Sequence, residues 1–216
     1  TRKRVLEVVS QLDYNPINNR KSHVFNNTRT ILVVMNDFSN MFLIDVLSGI
    51  NKAAFQHGYT LLLVATNSIV DREREATKLL NNRQADGAIF LSSRLDDSDL
   101  EHIAASFPLV QCCEYSETSK LPHVSIDNYT AYCEALEFLI KLGYRDIALI
   151  SSSNGLISTA LRENAYRDVM HRHNMAPVIG WVRRGSDTFL GGYESMQALL
   201  KHSTRPRAVL CNSDNV

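Results

Sequence analysis

Residues 1–30 carry Arg2, Lys3, Arg4, Arg20, Lys21 and Arg29 against only two acids, Glu7 and Asp13. Guanidinium and ammonium groups at that density can contact the phosphate oxygens of a nucleic acid, and a solvated helix face with a linker is the plainer reading of the same charges. The chain as a whole has 23 Lys and Arg against 23 Asp and Glu, a formal net charge of +0, so it is not a general polyanion binder. Other reactive types are scattered. Cys112, Cys113, Cys133 and Cys211 make no C-x-x-C pair and no Cys/His metal spacing; the adjacent pair sits in an apolar run and reads as small buried hydrophobes of a reducing cytoplasm. His171 and His173 lie two apart, so on a helix they point to different sides and mark an exposed basic helix end rather than a metal pair. Asp96, Asp97 and Asp99 read as a solvated helix start. No glycine-rich phosphate loop, dinucleotide fingerprint or nucleophile elbow occurs, so no enzymatic activity and no cofactor is expected.

The elements that would position these groups follow from periodicity. Thr1 is a candidate cap for a short helix burying Val5, Val8, Val9 and Leu12, and Pro16 ends it by restricting Asn15. An Asn-rich, basic linker follows to Arg29. From Ile31 the pattern alternates strand and helix: apolar runs at 31–35, 61–65, 88–91 and 109–113, between helices carrying Leu43, Leu47, Ile50 and Ala54, then Ala76, Leu79 and Leu80, then Leu100–Ala104. Continuous apolar strands between amphipathic helices predict a parallel, doubly wound sheet covered on both faces. A second set begins after His123–Ile126, with strands at 147–150, 178–182 and 208–211. Two similar α/β subdomains with a crossover near Asp127 and Asn128 are therefore expected, with ligand between them beyond the C-terminal strand ends. No apolar stretch is long enough to span a membrane. The chain starts without methionine and stops just after a strand-like run, as a piece cut from a longer protein would.

Several segments in order resemble the LacI family of bacterial transcriptional regulators. They are Thr1-Arg through Leu12-Asp-Tyr-Asn-Pro16, Thr30-Ile-Leu-Val-Val-Met-Asn-Asp-Phe-Ser-Asn-Met-Phe42, Ala85-Asp-Gly-Ala-Ile-Phe-Leu91, Val124-Ser-Ile-Asp-Asn128, Leu142-Gly-Tyr-Arg-Asp-Ile147, Arg162 with Tyr166, Gly192-Tyr193, and Cys211-Asn-Ser-Asp214. Within the family, Leu91-Ser-Ser-Arg94, Glu114-Tyr115 and Leu121 through Asn128 are most similar to the cytidine repressor branch. The resemblance covers the whole chain. It implies the last helix of a helix-turn-helix headpiece at 1–16, a hinge at 17–29, and a periplasmic-binding-protein-like core with one effector-binding subdomain at 30–127 and a truncated second at 128–216. It also implies a cytoplasmic, nucleoid-associated, homodimeric repressor of operator DNA, controlled by a nucleoside or sugar. A solute-binding protein of a sugar transport system is the alternative with the same core.

Residue by residue, the resemblance assigns Arg2, Arg4, Asn15 and Arg20 to DNA contact, with His23 where the family usually carries an apolar wedge. A histidine suits a narrow minor groove as a cation but wedges poorly between base steps. For the effector it implies Asp37, Asn40, Met41 and Phe42 at the first strand's end, beside Asn36. Ser92 follows the third strand, Glu114 and Tyr115 the fourth, and Asp127 lies at the crossover, where it could equally cap the next helix. Arg162 and Asp214 are the residues implied to reach the ligand from the second lobe. Phe189 stands two places beyond Asp187, where the family often has a stacking aromatic. Carboxylates and an arginine in a closed cleft suit a neutral polar ligand whose hydroxyls both donate and accept.

Overall fold

The computed structural model describes residues 28–176 and 178–216. The expected headpiece helix, most of the linker, and Arg2, Arg4, Asn15, Arg20 and His23 lie outside the described residues.

Strand β1 (Thr30–Met35) shows why the first sheet is covered on both faces. Side chains alternate along a strand. Leu32 and Val34 enter a core with Ala76 and Leu80 of helix α2 (Val70–Asn81) and Leu100 of α3 (Asp97–Ala104). Val33 and Met35 turn the other way and pack with Leu43 and the partly buried Leu47 and Ile50 of α1 (Met41–Gln56). Around β1 stand β2 (Thr60–Ala65), β3 (Gly87–Phe90), β4 (Leu109–Cys112) and β5 (His123–Val124), all parallel, in the order β2-β1-β3-β4-β5. Parallel neighbours need long crossover connections, helical here except for the loop between β4 and β5, and this order puts the strands' C-terminal ends on one edge. Gly58, at φ 73, ends α1 in a left-handed turn that residues with a Cβ seldom adopt.

The second lobe repeats the logic on a smaller scale. Strand β6 (Ile147–Ser152) is buried throughout, between parallel partners β7 (Val182–Gly185) and β8 (Ala208–Cys211). Ile147 and Leu149 meet Leu136 of α4 (Asn128–Lys141) and Ala165, Tyr166 and Val169 of α5 (Ile157–Arg172). Ala148 and Ile150 meet Trp181 and Leu199, the latter on α6 (Phe189–Leu200). Trp181 is 2% exposed, and its indole N–H donates to the Thr204 carbonyl at 3.1 Å. Each fully buried aliphatic side chain of this kind contributes about 1.5–3 kcal/mol. Among the described residues no helix is long and apolar enough to cross a membrane.

Two sequence expectations are corrected. The apolar run at 178–182 is not the strand; β7 begins where that run ends, at Val182. Trp181 and Val178 are drawn into the core from the preceding turn, while β7, at the sheet edge, exposes Arg183 and Arg184. Cys112 and Cys113 are only half-buried. Cys113 adopts φ 70, bending the chain out of the sheet at the end of β4. Its neighbour's thiol lies 3.8 Å away, and that hydrogen bond draws the Cys112 thiol down to about 7 while Cys113 moves up.

Candidate functional site

The loops beyond the C-terminal strand ends of both sheets carry the residues that the sequence singles out. In the β1–α1 loop, Asp37 accepts from the backbone N–H of Ser39 at 2.7 Å and from its hydroxyl. Asn40 caps α1, its Oδ1 accepting from the Phe42 N–H at 3.0 Å. Asx-type turns and caps of this sort hold a loop in one shape. Met41 and Phe42, in the first turn of α1, stand 64% and 48% exposed, so they are free to meet a ligand rather than the core.

Three buried polar atoms at strand ends have no hydrogen-bond partner among the described residues: Asn36 Oδ1 after β1, Ser92 Oγ after β3, and Asn212 Oδ1 after β8. Two belong to the first lobe and one to the second. Native proteins pair nearly all such groups, and an orphan marks a place where something else completes the pairing. The two orphaned amide oxygens ask for hydrogen-bond donors, and the hydroxyl both donates and accepts.

Arg162, on α5, is the hub of the second lobe. Its Nε and Nη2 both donate to Asn128 Oδ1, at 2.9 and 2.7 Å, and its Nη1 donates to the Asn212 carbonyl. The guanidinium carbon lies 5.9 Å from the centroid of the Tyr132 ring, within cation–π range. Tyr132 in turn donates to the Cys211 carbonyl, and burial pushes its phenol well above the ordinary range. Arg162 thus ties the first residue of α4 to the loop that holds Asn212.

Hydrogen bonds join the lobes. The Glu114 carboxylate takes the Ser158 N–H at 3.2 Å and the Ser158 hydroxyl at 2.6 Å. Arg94 Nη2 donates to the Asn154 carbonyl at 2.8 Å. A cavity of about 110 Å³ lies beside them, lined by Gln111, Glu114, Tyr115, Gly155 and Leu156 among others. Burial raises the Glu114 carboxyl above its usual range, opposed by the Ser158 hydrogen bonds and the nearby Arg162 and Arg94 charges. Tyr115 is held by stacking on His123, ring centroids 4.0 Å apart and planes 6° from parallel.

The remaining assigned residues fall outside this cluster. Asp127 accepts from the Thr130 N–H at 3.0 Å and caps α4, and that backbone donor holds its carboxyl below the usual range. Asp214 is exposed in the β8 loop, whereas Asn212, two residues earlier, is 4% exposed. Phe189 is 82% exposed at the start of α6. Asp187 accepts from the Ser213 hydroxyl at 3.2 Å, joining that helix entry to the β8 loop.

Sequence reasoning missed several supports. Glu73, in the first turn of α2, is wholly buried and accepts from Ser93 Oγ at 2.8 Å, Arg94 N at 2.9 Å and Leu95 N at 3.3 Å. It shapes the loop that carries Ser92 and Arg94. Glu163, also buried, accepts a two-point contact from Arg184 at 2.8 and 2.6 Å and a hydroxyl from Ser151 at 2.7 Å. Burial works against its charge, and these donors outweigh it, leaving the carboxyl below its usual value. For Asn212 a signal existed: a polar residue immediately past a strand's C-terminal end.

Two parallel α/β lobes with polar residues at the strand ends of both define the periplasmic-binding-protein-like fold. The chain belongs to the family described as periplasmic binding proteins and sugar binding domain of LacI family, which residues 28–216 match. It is 31% identical over 215 residues to the transcriptional repressor CytR of Escherichia coli K12, covering 99% of this chain and 63% of that protein. It is 27% identical to catabolite control protein A of Priestia megaterium, covering 100% of this chain and 66% of that one. The chain therefore spans about two thirds of the length of these relatives. The crystal structure of an uncharacterized protein from Actinobacillus succinogenes superposes with a TM-score of 0.81 at 30% identity, over 87% of this chain and 70% of the other.

Proposed function

We propose that this chain is the effector-binding core of a cytoplasmic, homodimeric transcriptional repressor whose operator affinity is set by a small molecule bound between the lobes. The observation that carries this reading is the set of three orphaned polar atoms, Asn36 Oδ1, Ser92 Oγ and Asn212 Oδ1, at the strand ends of two lobes. A nucleoside such as cytidine, or a sugar, supplies the hydroxyl and N–H donors they lack. What favours the nucleoside is the resemblance of Leu91 through Arg94, Glu114-Tyr115 and Leu121 through Asn128 to the cytidine repressor branch. Operator contact falls to the segment holding Arg2, Arg4, Asn15, Arg20 and His23, with a helix-turn-helix in the intact protein. The partner in the dimer is a second copy of this chain.

A ligand acts on the operator only by preferring one lobe arrangement, because equal affinity for both shifts nothing. The polar contacts Glu114 to Ser158 and Arg94 to Asn154 are the ones such a shift breaks or remakes. The test is a calorimetric titration of cytidine, other nucleosides and common sugars. Saturable cytidine binding supports the nucleoside reading. Sugar binding alone retains the effector cleft and discards cytidine, and no binding by either class removes the effector reading.

A further inference from the structure

Helix α5 cannot cap itself. Leu156 occupies its cap position and offers no side-chain acceptor. The first-turn N–H groups of a 16-residue helix carry the positive end of its dipole and need an acceptor. That acceptor comes from the other lobe, as the Glu114 carboxylate on the Ser158 N–H and hydroxyl. Glu114 is aimed there by an unusual turn: its N–H donates back to the Cys112 carbonyl at 2.9 Å across Cys113 at φ 70. A γ-turn of that hand is rare and strained, and strain of this kind persists where the surroundings require it.

Two guanidiniums, Arg162 and Arg94, also act on this carboxylate. Their own hydrogen bonds go to neutral oxygens, those of Asn128, Asn212 and Asn154. Without Glu114 the cleft would hold two arginines and a helix N-terminus facing no anion, which is the chemistry that captures phosphate. Meanwhile Asn36 and Asn212 present orphaned amide oxygens that ask for donors, beside the unpartnered hydroxyl of the buried Ser92.

Resting on the reading of this cleft as the effector site, we propose that Glu114 is its specificity determinant: an internal anion filling the place a phosphate would take, so that the cleft admits uncharged, donor-rich ligands and rejects their phosphorylated forms. Discrimination of this kind works through repulsion as much as attraction.

The experiment is a titration of the isotopically labelled chain with inorganic phosphate, following the Ser158 amide by NMR, for wild type, Glu114→Ala and Glu114→Gln. Glu114→Ala is expected to bind phosphate at least about tenfold more tightly than wild type, with the shifts centred on Ser158. Glu114→Gln falls between, since its carboxamide keeps the shape and loses the charge. Equal phosphate affinity in all three folded chains, or no binding in any, overturns the proposal. Should Glu114→Ala fail to fold, the near-isosteric Glu114→Gln carries the comparison. Phosphate is the probe, so the outcome is separable from the effector titration: a variant that gains phosphate in a chain that binds no nucleoside or sugar keeps this assignment and discards the effector reading.

Discussion

Arg162 and Asn128 meet through a single oxygen, Oδ1 of the asparagine, which accepts from both Nε and Nη2 of the arginine at 2.9 and 2.7 Å. The pair joins α5 to the first residue of α4, and the third donor of the same fork reaches the Asn212 carbonyl. Arg162→Ala is expected to abolish effector binding while leaving the fold intact, at a stability cost of about 1–3 kcal/mol for the unpaired partners. Arg162→Lys does not restore binding, because one ammonium cannot serve two acceptors with a fixed planar fork. Calorimetry beside a thermal melt checks both. Unchanged ligand affinity in either variant removes Arg162 from the site.

Glu73 predicts a local rather than a global defect. Its carboxylate collects Ser93 Oγ and the N–H groups of Arg94 and Leu95. Glu73→Ala leaves these donors unpaired, at about 1–3 kcal/mol each where water cannot replace the acceptor. Hydrogen exchange of the 93–95 amides is expected to rise well above that of neighbouring strands. Protection equal to wild type would show that the carboxylate does not hold the loop.

The Glu163–Arg184 pair gives a stability change confined to acid. The folded carboxyl lies below its unfolded value, so its contribution is fully present above the unfolded value and is lost as pH falls through the folded one. Arg184 is half exposed, which discounts the pair, and Arg184→Ala is expected to cost about 1–2 kcal/mol near neutral pH. Denaturant midpoints for wild type and variant should converge in acid. A gap that persists unchanged below the titration would mean the loss comes from packing.

Glu114 runs the other way. Burial raises its folded carboxyl above the ordinary value of 4.5, so the folded chain holds the proton more tightly than the unfolded one. Wild type is therefore expected to lose stability relative to Glu114→Gln as pH climbs through that interval, with the difference levelling above it. Urea midpoints for the two chains between about pH 4 and about pH 7 measure this. Parallel curves would sink the assignment of a raised value.

The parallel sheets were legible because their strands are nearly unbroken apolar runs, and β1, β2, β3, β4, β6 and β8 all lie where those runs are. β7 was displaced because Trp181 makes the preceding turn look like strand, while the strand itself carries Arg183 and Arg184. A half-exposed edge strand lacks the periodic signal of a central one. In the cleft, the loops were visible and the partnerships were not. Glu114 and Ser158 are 44 residues apart, and Arg162 and Asn212 are 50 apart; no local pattern encodes such pairs. Glu73 gives no sequence signal for a related reason, since an acid in a first turn looks the same in sequence whether it faces solvent or a loop.

Trp181 is the sole tryptophan of the chain, and it sits in the core behind β6. Its indole emission therefore reports on one lobe, whereas far-ultraviolet dichroism sums the helices of both. Lobes with separate cores need not melt together. Fluorescence and dichroism recorded on one sample turn that architecture into an optical measure of coupling: coincident transitions mean the lobes unfold as one unit, and separated transitions mean each lobe has its own melting temperature.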